Sequence, residues 1–387
     1  MADIAIYTLT SDLHNEEAVR LTTTEFLDSL GIAFDFKGND FSDYGQHTLS
    51  LIYVRTGGTE GIFKRLLHTL REQSDCPFYL LTSGKSNSLA ASMEILAYLR
   101  QHSMSGEILH GDPAYITRRI HLLARVNEAR RRIDGMRLGV IGQPSDWLIA
   151  SHADYAAVRQ KLGVEIVDIP MQELLDLLQQ GHGASVSTEE GALRIYAALK
   201  TIVTRHQLNG FTLRCFDLLT AVLNTGCLAL ARLNAEGIIA GCEGDVPAMI
   251  SMLITHALTG VSGFQANPAS INTETGEVLF AHCTIPLNMV ERYELDTHFE
   301  SGIGIGIRGF MKPGPVTIFK VSGDLARHFV CEGQLEQNLS KPDLCRTQQF
   351  IRLTNPSAAT YFLTNPIGNH HIILPGHCSS LFEEFLK

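Results

Sequence analysis

Short apolar runs alternate with amphipathic segments over the first third of the chain. Strand candidates such as DIAIYTL, LSLIYVRTGG and FYLLTSG are followed by the helix candidates EEAVRLTTTEFLDSLG, TEGIFKRLLHTLREQ and SLAASMEILAYLRQHS. Strands that alternate with helices form a parallel sheet whose faces the helices cover. We therefore predict an N-terminal α/β domain over residues 1–130.

The same pattern starts again after a basic helix, TRRIHLLARVNEARRRIDG. The run MRLGVIGQPSDWLIAS is typical of a strand, a turn and the opening of a helix, and VEIVDIP is typical of the next strand. The pattern continues through FTLRCFDLL to an apolar helix after Gly244. This restart predicts a central α/β domain over residues 131–260.

Beyond residue 260 the segments become short and rich in β-branched residues, with Gly, Pro, Asn and Asp between them. Examples are GEVLFAHCTIPL, PVTIFKVSG and HHIILPG. Such spacing favours antiparallel strands. The predicted fold class is α/β, with two Rossmann-like units on parallel sheets followed by a mainly antiparallel β domain over residues 261–387.

Composition narrows the possible functions. The 387 residues carry a formal net charge of -10, which argues against a protein that binds nucleic acid through its phosphates. The N-terminal segment lacks the features of a signal peptide, and the apolar runs are too short and interrupted for a transmembrane helix. The eight cysteines include no CxxC pair, so we expect reduced, mostly packed thiols and a cytoplasmic protein without membrane contact.

Three common catalytic and nucleotide-binding motifs fail on inspection. LLTSGKSNS ends like a phosphate-binding loop, but Tyr79 occupies the position of the required upstream glycine. The Gly-bearing turns VRTGGTEG and GVIGQPSDW do not match GxGxxG, and no GxSxG elbow is present. Nucleotide binding and serine hydrolysis are therefore disfavoured.

Four segments contain polar residues that a hydrophobic core does not need. They are RCFDLL with Asp217, GCEGD with Glu243 and Asp245, AHCTIP and THFESG with His282, His298 and Glu300, and GNHH with His370 and His371. Carboxylates and imidazoles without a thiolate cluster suit a divalent ion such as Mn2+. Together these segments predict a metal site.

Each of these residues also has a structural explanation. Asp245 precedes an apolar helix and Pro247, so it can be a helix N-cap. Asp217 can be a solvated strand end, and a given histidine is more often structural than a ligand. Glu243, beside Gly and Cys in a tight turn, is harder to explain without a ligand.

The segment GFTLRCFDLLTAVLNTGCLALARLNAEGIIAGCEGDVPAMISML resembles the L-arabinose and L-fucose isomerase superfamily. QANPASINTETGEVLFAHCTIP, THFESGIGIGIRG, CRTQ and GNHHIILPG resemble the C-terminal domain of its short, fucose isomerase-like branch. The resemblance covers about residues 137–377. It implies a metal-dependent aldose–ketose isomerase that acts through an enediol intermediate.

The resemblance also implies roles for individual residues. Two carboxylates and a C-terminal histidine would bind Mn2+. Asp217 would be the first acid, although the family usually has Glu there, and Glu243 the second, with Asp245 its equivalent in the fucose type. His370 or His371 would be the C-terminal ligand.

We expect Asp217 and Glu243 to be the catalytic pair that moves protons. The resemblance further implies that a set of side chains contacts the sugar hydroxyls or an anionic substituent of the sugar. Two of them, His282 and His298, are alternatively assigned as metal ligands. The full set is Arg214, Asn267, His282, His298, Glu300 and Arg346. The expected substrate is a pentose, a 6-deoxyhexose or a C6-modified hexose, and the expected assembly is a homo-oligomer with shared active sites.

Two other functions are compatible with the same residues. One is a non-catalytic sugar-binding or sensing protein of the same fold, which the presence of both acids disfavours. The other is a metal-assisted aldolase or epimerase, which would also need stabilisation of an enediolate.

Overall fold

In the computed structural model, which describes residues 3–179 and 188–387, the chain divides into two compact units, Met1–Glu128 and Ala129–Lys387. The second unit contains both the central α/β region and the β-rich region. The division into three domains at residues 130 and 260 therefore stays a proposal. No helix of the described residues is long and apolar enough to cross a membrane.

The first unit is built on a five-stranded parallel sheet with the strand order β2-β1-β3-β4-β5. Its inner strands β1, β3 and β4 are buried apolar runs because helices cover both faces of the sheet, whereas the edge strand β2 is exposed or only partly buried. The strands are β1 Ile4–Leu9, β2 Asp35–Gly38, β3 Leu49–Val54, β4 Phe78–Leu81 and β5 Gly106–Leu109. The helices are α1 Glu16–Leu30, α2 Glu60–Gln73, α3 Ser88–Gln101 and α4 Pro113–Ile133, with a 3-10 turn at Lys85–Asn87; α4 continues past Glu128, so its last turn belongs to the second unit.

The second unit begins with a four-stranded parallel sheet of order β7-β6-β8-β9. The strands are β6 Arg137–Ile141, β7 Glu165–Ile169, β8 Gly210–Leu213 and β9 Ile239–Cys242. The helices are α5 Tyr155–Leu162, α6 Met171–Gln179, α7 Glu189–Arg205, α8 Cys215–Val222, α9 Cys227–Ala235 and α10 Val246–Thr259. The carboxyl ends of these strands open on one edge of the sheet, where ligands of open α/β sheets bind.

The rest of the second unit is a closed antiparallel barrel of order β10-β11-β16-β15-β14-β17. Its strands are β10 Phe264–Asn272, β11 Glu277–His282, β14 Gly314–Val321, β15 His328–Asn338, β16 Thr347–Leu353 and β17 His371–Pro375. A separate hairpin pairs β12 Arg292–Asp296 with β13 Gly306–Phe310. The remaining short elements are α11 Tyr361–Thr364, α12 Ser379–Phe385 and the 3-10 turns Leu287–Met289 and Pro356–Thr360.

Helix α10 joins the sheet to the barrel. It packs against β9 on one side and against β14 and β17 on the other. Its residues are apolar almost all round, as expected for a helix buried between two layers. The start of α10 therefore lies where the sheet edge and the barrel meet. The predicted fold class, parallel α/β sheets followed by an antiparallel β region, is confirmed.

Candidate metal centre

A tight turn connects β9 to α10 and carries Glu243. Glu243 and Gly244 both have left-handed backbones, with φ of +63° and +62°. A side chain at Gly244 would approach Ser145 Oγ at 2.9 Å and Gln143 O at 3.0 Å, so the turn needs glycine there. The hydroxyl of Ser145 donates to the Glu243 carbonyl, which holds the turn against the loop after β6.

Two histidines of the barrel face the carboxylate of Glu243. His282 ends β11 and His370 immediately precedes β17, and both side chains are buried. The Nε2 atoms of His282 and His370 lie 3.3 Å and 3.6 Å from Glu243 Oε1. In the described part of the chain, these three residues form the group of His, Cys, Asp and Glu side chains close enough to share a metal ion, with ligand atoms within 4.8 Å of one another.

Asp245 binds the ring nitrogen of His370 that faces away from Glu243. Its Oδ1 accepts the N–H of Ala248 at 2.8 Å and caps α10, while its Oδ2 accepts from His370 Nδ1 at 2.9 Å. The ammonium group of Lys320 lies 3.5 Å from the same Oδ2, and both side chains are almost entirely buried. A carboxylate that binds the outer ring nitrogen of a histidine fixes the ring and leaves the other nitrogen free to bind a metal.

The electrostatics of the group favour two ionised carboxylates. Burial alone would raise the pKa of Glu243, but His370 and His282 hold it well below its usual range. Burial likewise opposes ionisation of Asp245, yet Lys320 and His370 lower its pKa to about 2. For His370, burial lowers the pKa, whereas Glu243 and Asp245 raise it to about 9. The site therefore attracts positive charge, which a proton on His370 or a metal ion can supply.

These residues fit a divalent metal ion. His370 Nε2 is buried and has no hydrogen-bond partner among the described residues, although it points at Glu243. An unpaired buried nitrogen is costly, and a metal bond would satisfy it. Two imidazole nitrogens and one carboxylate oxygen suit borderline or hard divalent ions, with room for further oxygen ligands.

The structure does not bring Asp217 to this group. The prediction that it ends a strand is wrong, because β8 stops at Leu213 and Asp217 lies in the first turn of α8. Its carboxylate is 2.9 Å from Arg214 Nε and is 46% exposed. Arg214 also binds Asp146 and stacks on Trp147, so its charge is already engaged.

His371 does not point at the group either. Its Nδ1–H donates to the carbonyl of Asn369 at 3.0 Å, and its Nε2 accepts from Tyr361 Oη at 3.1 Å. Burial, together with the charge of Lys320, lowers its pKa to about 3. Both ring nitrogens are used, so the geometry favours His370 as the C-terminal ligand.

A small cavity of about 30 Å³ adjoins Glu243 and His282, and Asn267, His298 and Glu300 line it. It can hold a water molecule or an ion, for which roughly 10–15 Å³ suffices. Sugar binding therefore requires neighbouring side chains to move. Arg346 does not line the cavity but bonds Thr297 O at 2.8 Å and so supports the loop that carries His298 and Glu300.

A larger cavity, of about 810 Å³, lies in the first unit beside the carboxyl end of β1. Its charged residues include Arg55 and Glu16, which pair with each other at 2.8 Å. None of the described groups that could hold a metal lies there. The chemistry therefore points to the small cavity of the second unit.

Sequence reasoning missed two features of the centre. Lys320 lies in PVTIFKVSG, which we interpreted only as a strand. A lysine among apolar residues was the feature that could have indicated a buried cation. Only Cys76 of the eight cysteines is exposed, as expected, but five of them line the small cavity, which we did not predict. Nothing in their spacing along the chain indicated this.

The chain is similar to proteins described as sulfoquinovose isomerases. Those of Priestia megaterium and Alkalicoccus urumqiensis are 24% and 22% identical, over 61% of this chain and 59% of each relative. That of Clostridium sp. is 23% identical over 53% of this chain and 49% of the relative. The match thus spans less than two thirds of each relative's length. No protein-family model matches the chain. These relatives agree with the sugar isomerase class that the sequence resemblance implied.

Proposed function

We propose that the chain is a metal-dependent aldose–ketose isomerase of the short, fucose isomerase-like branch, acting through an enediol intermediate. The observation that carries the proposal is the group of partly buried Glu243 with the buried His282 and His370, together with the unpaired His370 Nε2. The similarity to sulfoquinovose isomerases supports the reaction class. A sugar-binding protein without catalysis would have no need for this desolvated carboxylate.

Glu243, His282 and His370 would hold the divalent ion, for which we propose Mn2+. When bound, such an ion supplies Lewis acidity toward the carbonyl and hydroxyl oxygens of a sugar. Asp245 keeps the ring of His370 in place through Nδ1, and Lys320 offsets the buried charge of Asp245. The buried carboxylate of Asp245 thus has a partner of opposite charge.

Proton transfer between C1 and C2 requires an acid or base that faces the sugar. Glu300 and His298 line the cavity beside Glu243, so we propose them for this transfer and for the hydroxyl proton. Asn267 has a buried, unpaired Oδ1 that can accept from a sugar hydroxyl. The catalytic role predicted for Asp217 would require its salt bridge with Arg214 to open.

Among the sugars that the sequence left open, we propose a C6-modified hexose. Sulfoquinovose, the sugar in the relatives' names, is the first substrate to test. Arg214 and Arg346, the two arginines expected to face an anionic substituent, are each held by protein acceptors. A homo-oligomer with shared active sites remains part of the proposal, and light scattering would measure the subunit number.

Product analysis with Mn2+ tests the reaction. An isomerase converts the aldose to a ketose of equal mass, an aldolase yields fragments, an epimerase yields another aldose, and a sensing protein yields no product. Glu243→Gln should abolish Mn2+-dependent turnover, because it removes the proposed carboxylate ligand of the ion. Its matched control is Glu274→Gln, an exposed residue of a barrel loop, which should keep full turnover.

Two further variants assign the proton-transfer carboxylate. Loss of turnover in Glu300→Gln with near-normal turnover in Asp217→Asn supports the proposed arrangement. The reverse result would return the catalytic role to Asp217. Normal turnover in Glu243→Gln would contradict the site itself.

A further inference from the structure

The wall of the small cavity is rich in thiols. The cysteines that line it are Cys215, Cys227, Cys242, Cys283 and Cys345, and no disulfide joins any of the cysteines that the structure describes. Among the described residues, none of these cysteines belongs to a group of three or more side chains that could hold a metal ion. The thiols therefore need a different explanation.

Two of these thiols are in direct contact. Cys242 ends β9 and Cys215 begins α8 directly after β8, and β8 and β9 are neighbouring parallel strands in which Leu213 pairs with Cys242. The pairing brings the Sγ atoms of Cys215 and Cys242 to 3.4 Å from each other. Cys242 is 3% exposed, whereas Cys215 is only partly buried. This pair is set by the sheet register and not by proximity in sequence.

We propose that Cys215 and Cys242 form a dithiol that a small hydroperoxide oxidises reversibly to a disulfide. The cavity of about 30 Å³ admits a molecule the size of hydrogen peroxide, since one water needs roughly 10–15 Å³. Cys215, the more exposed thiol, would react first.

The reaction balances in two steps. The sulfur of Cys215 attacks one peroxide oxygen, the O–O bond breaks, and water leaves after proton transfer, giving a sulfenic acid. The sulfur of Cys242 then attacks the Cys215 sulfur, the S–O bond breaks, and a second water leaves. In total, the two thiols lose two electrons, and one hydrogen peroxide gains them and becomes two waters. A dithiol reductant reverses the change.

Disulfide formation would disturb the metal centre. The two sulfurs must approach from 3.4 Å to about 2.05 Å. Cys242 is held through its backbone by Gln265, at 2.8 Å and 3.2 Å, and it directly precedes Glu243. Because Glu243 is the next residue along the chain, any displacement of Cys242 on disulfide formation would change the position of Glu243 relative to the two histidines. This consequence rests on the proposed function, but the disulfide itself does not.

Mass spectrometry of the full chain, treated with hydrogen peroxide, tests the proposal. The free thiols, counted after denaturation, should fall from eight to six, with loss of two hydrogens and recovery in dithiothreitol. Trypsin alone leaves Cys215 with Cys227, and Cys242 with Cys283. Further digestion with Asp-N and Glu-C separates each pair, and the expected cross-link joins Cys215 to Cys242.

Matched variants keep the test independent of folding and of activity. Cys215→Ser should abolish the cross-link, while Cys76→Ser, at an exposed thiol of the first unit, should leave it unchanged. A cross-link between Cys283 and Cys345 instead, or a stable sulfinic acid on Cys215, would overturn the proposal.

The effect on the metal centre is measured separately. The oxidised wild-type protein should bind Mn2+ at least about tenfold more weakly than the reduced protein. If the reduced protein binds no Mn2+ while the cross-link forms, the proposed function fails and the dithiol stands.

Discussion

The carboxylate of Asp245 accepts hydrogen bonds from two sides, from the backbone of Ala248 and from His370. The sequence left open whether this residue is a helix cap or part of a metal site. The geometry shows that the cap and the support of His370 use different oxygens of one side chain. A capping residue can therefore be part of a functional centre when its second oxygen faces a ligand.

Asp245→Asn should weaken the metal centre and the fold together. The amide cannot offset the charge of Lys320, and breaking a buried ion pair costs roughly 3–5 kcal/mol. The ring of His370 loses its anionic partner, so affinity for Mn2+ should fall about 10–100-fold. Urea unfolding and calorimetric titration with Mn2+ measure the two effects.

A second substitution separates these effects. The double variant with Asp245→Asn and Lys320→Met removes the uncompensated cation, so it should regain stability but not metal affinity. Wild-type affinity in Asp245→Asn would show that His370 does not need its carboxylate partner.

At the scale of elements, the strand–turn–helix unit β9–α10 carries the acidic ligand. The turn works because two consecutive residues adopt left-handed backbones, and the second is a glycine in a crowded position. Glu243, a residue that adopts this conformation at a cost, is held there by the bond from Ser145. Backbone strain at this turn thus coincides with the proposed ligand.

Gly244→Ala should destabilise the fold and displace Glu243. A left-handed backbone costs roughly 1–2 kcal/mol for a residue with a Cβ, and here the Cβ also meets Ser145 Oγ at 2.9 Å. The matched control is Gly260→Ala at the end of α10, where φ is +84° but nothing lies within 4 Å. Both variants should lose stability in urea, and only Gly244→Ala should lose Mn2+ affinity. If the two variants bind Mn2+ with equal affinity, the conformation of this turn does not affect the proposed metal site.

At the scale of the whole second unit, the proposed ligands come from two layers. Glu243 belongs to the edge of the parallel sheet, whereas His282 and His370 belong to the barrel. A metal ion bound by all three would therefore connect the layers, in addition to the packing of α10 between them.

Mn2+ should stabilise the chain against unfolding, because the complete ligand set exists only in the folded state. At a free concentration of 100 Kd the free energy of unfolding should rise by about 2.7 kcal/mol, and EDTA should remove the gain. Chemical denaturation with and without Mn2+ measures this difference. An equal gain in Glu243→Gln would mean that the ion binds elsewhere.

Part of the centre was predictable from the sequence. Glu243 stood out because a carboxylate in a tight Gly-bearing turn before an apolar helix has few structural explanations. Asp217 was equally acidic, but it pairs with Arg214, three residues before it, a contact that forms only because a helix starts at Cys215. The choice between His370 and His371 depended on which of two adjacent side chains faces the sheet, and alternation along an extended segment sends them to opposite sides.

The parallel sheets, the antiparallel β region and the acidic turn were all predictable from local sequence patterns. These features follow from local periodicity and turn chemistry, which act over a few residues. The contacts of Lys320 with Asp245, of Cys215 with Cys242, and of His282 and His370 with Glu243 arise only when the chain is fully folded. Such contacts join residues up to 127 positions apart, from Glu243 to His370. They depend on strand register and barrel closure, which no local pattern specifies.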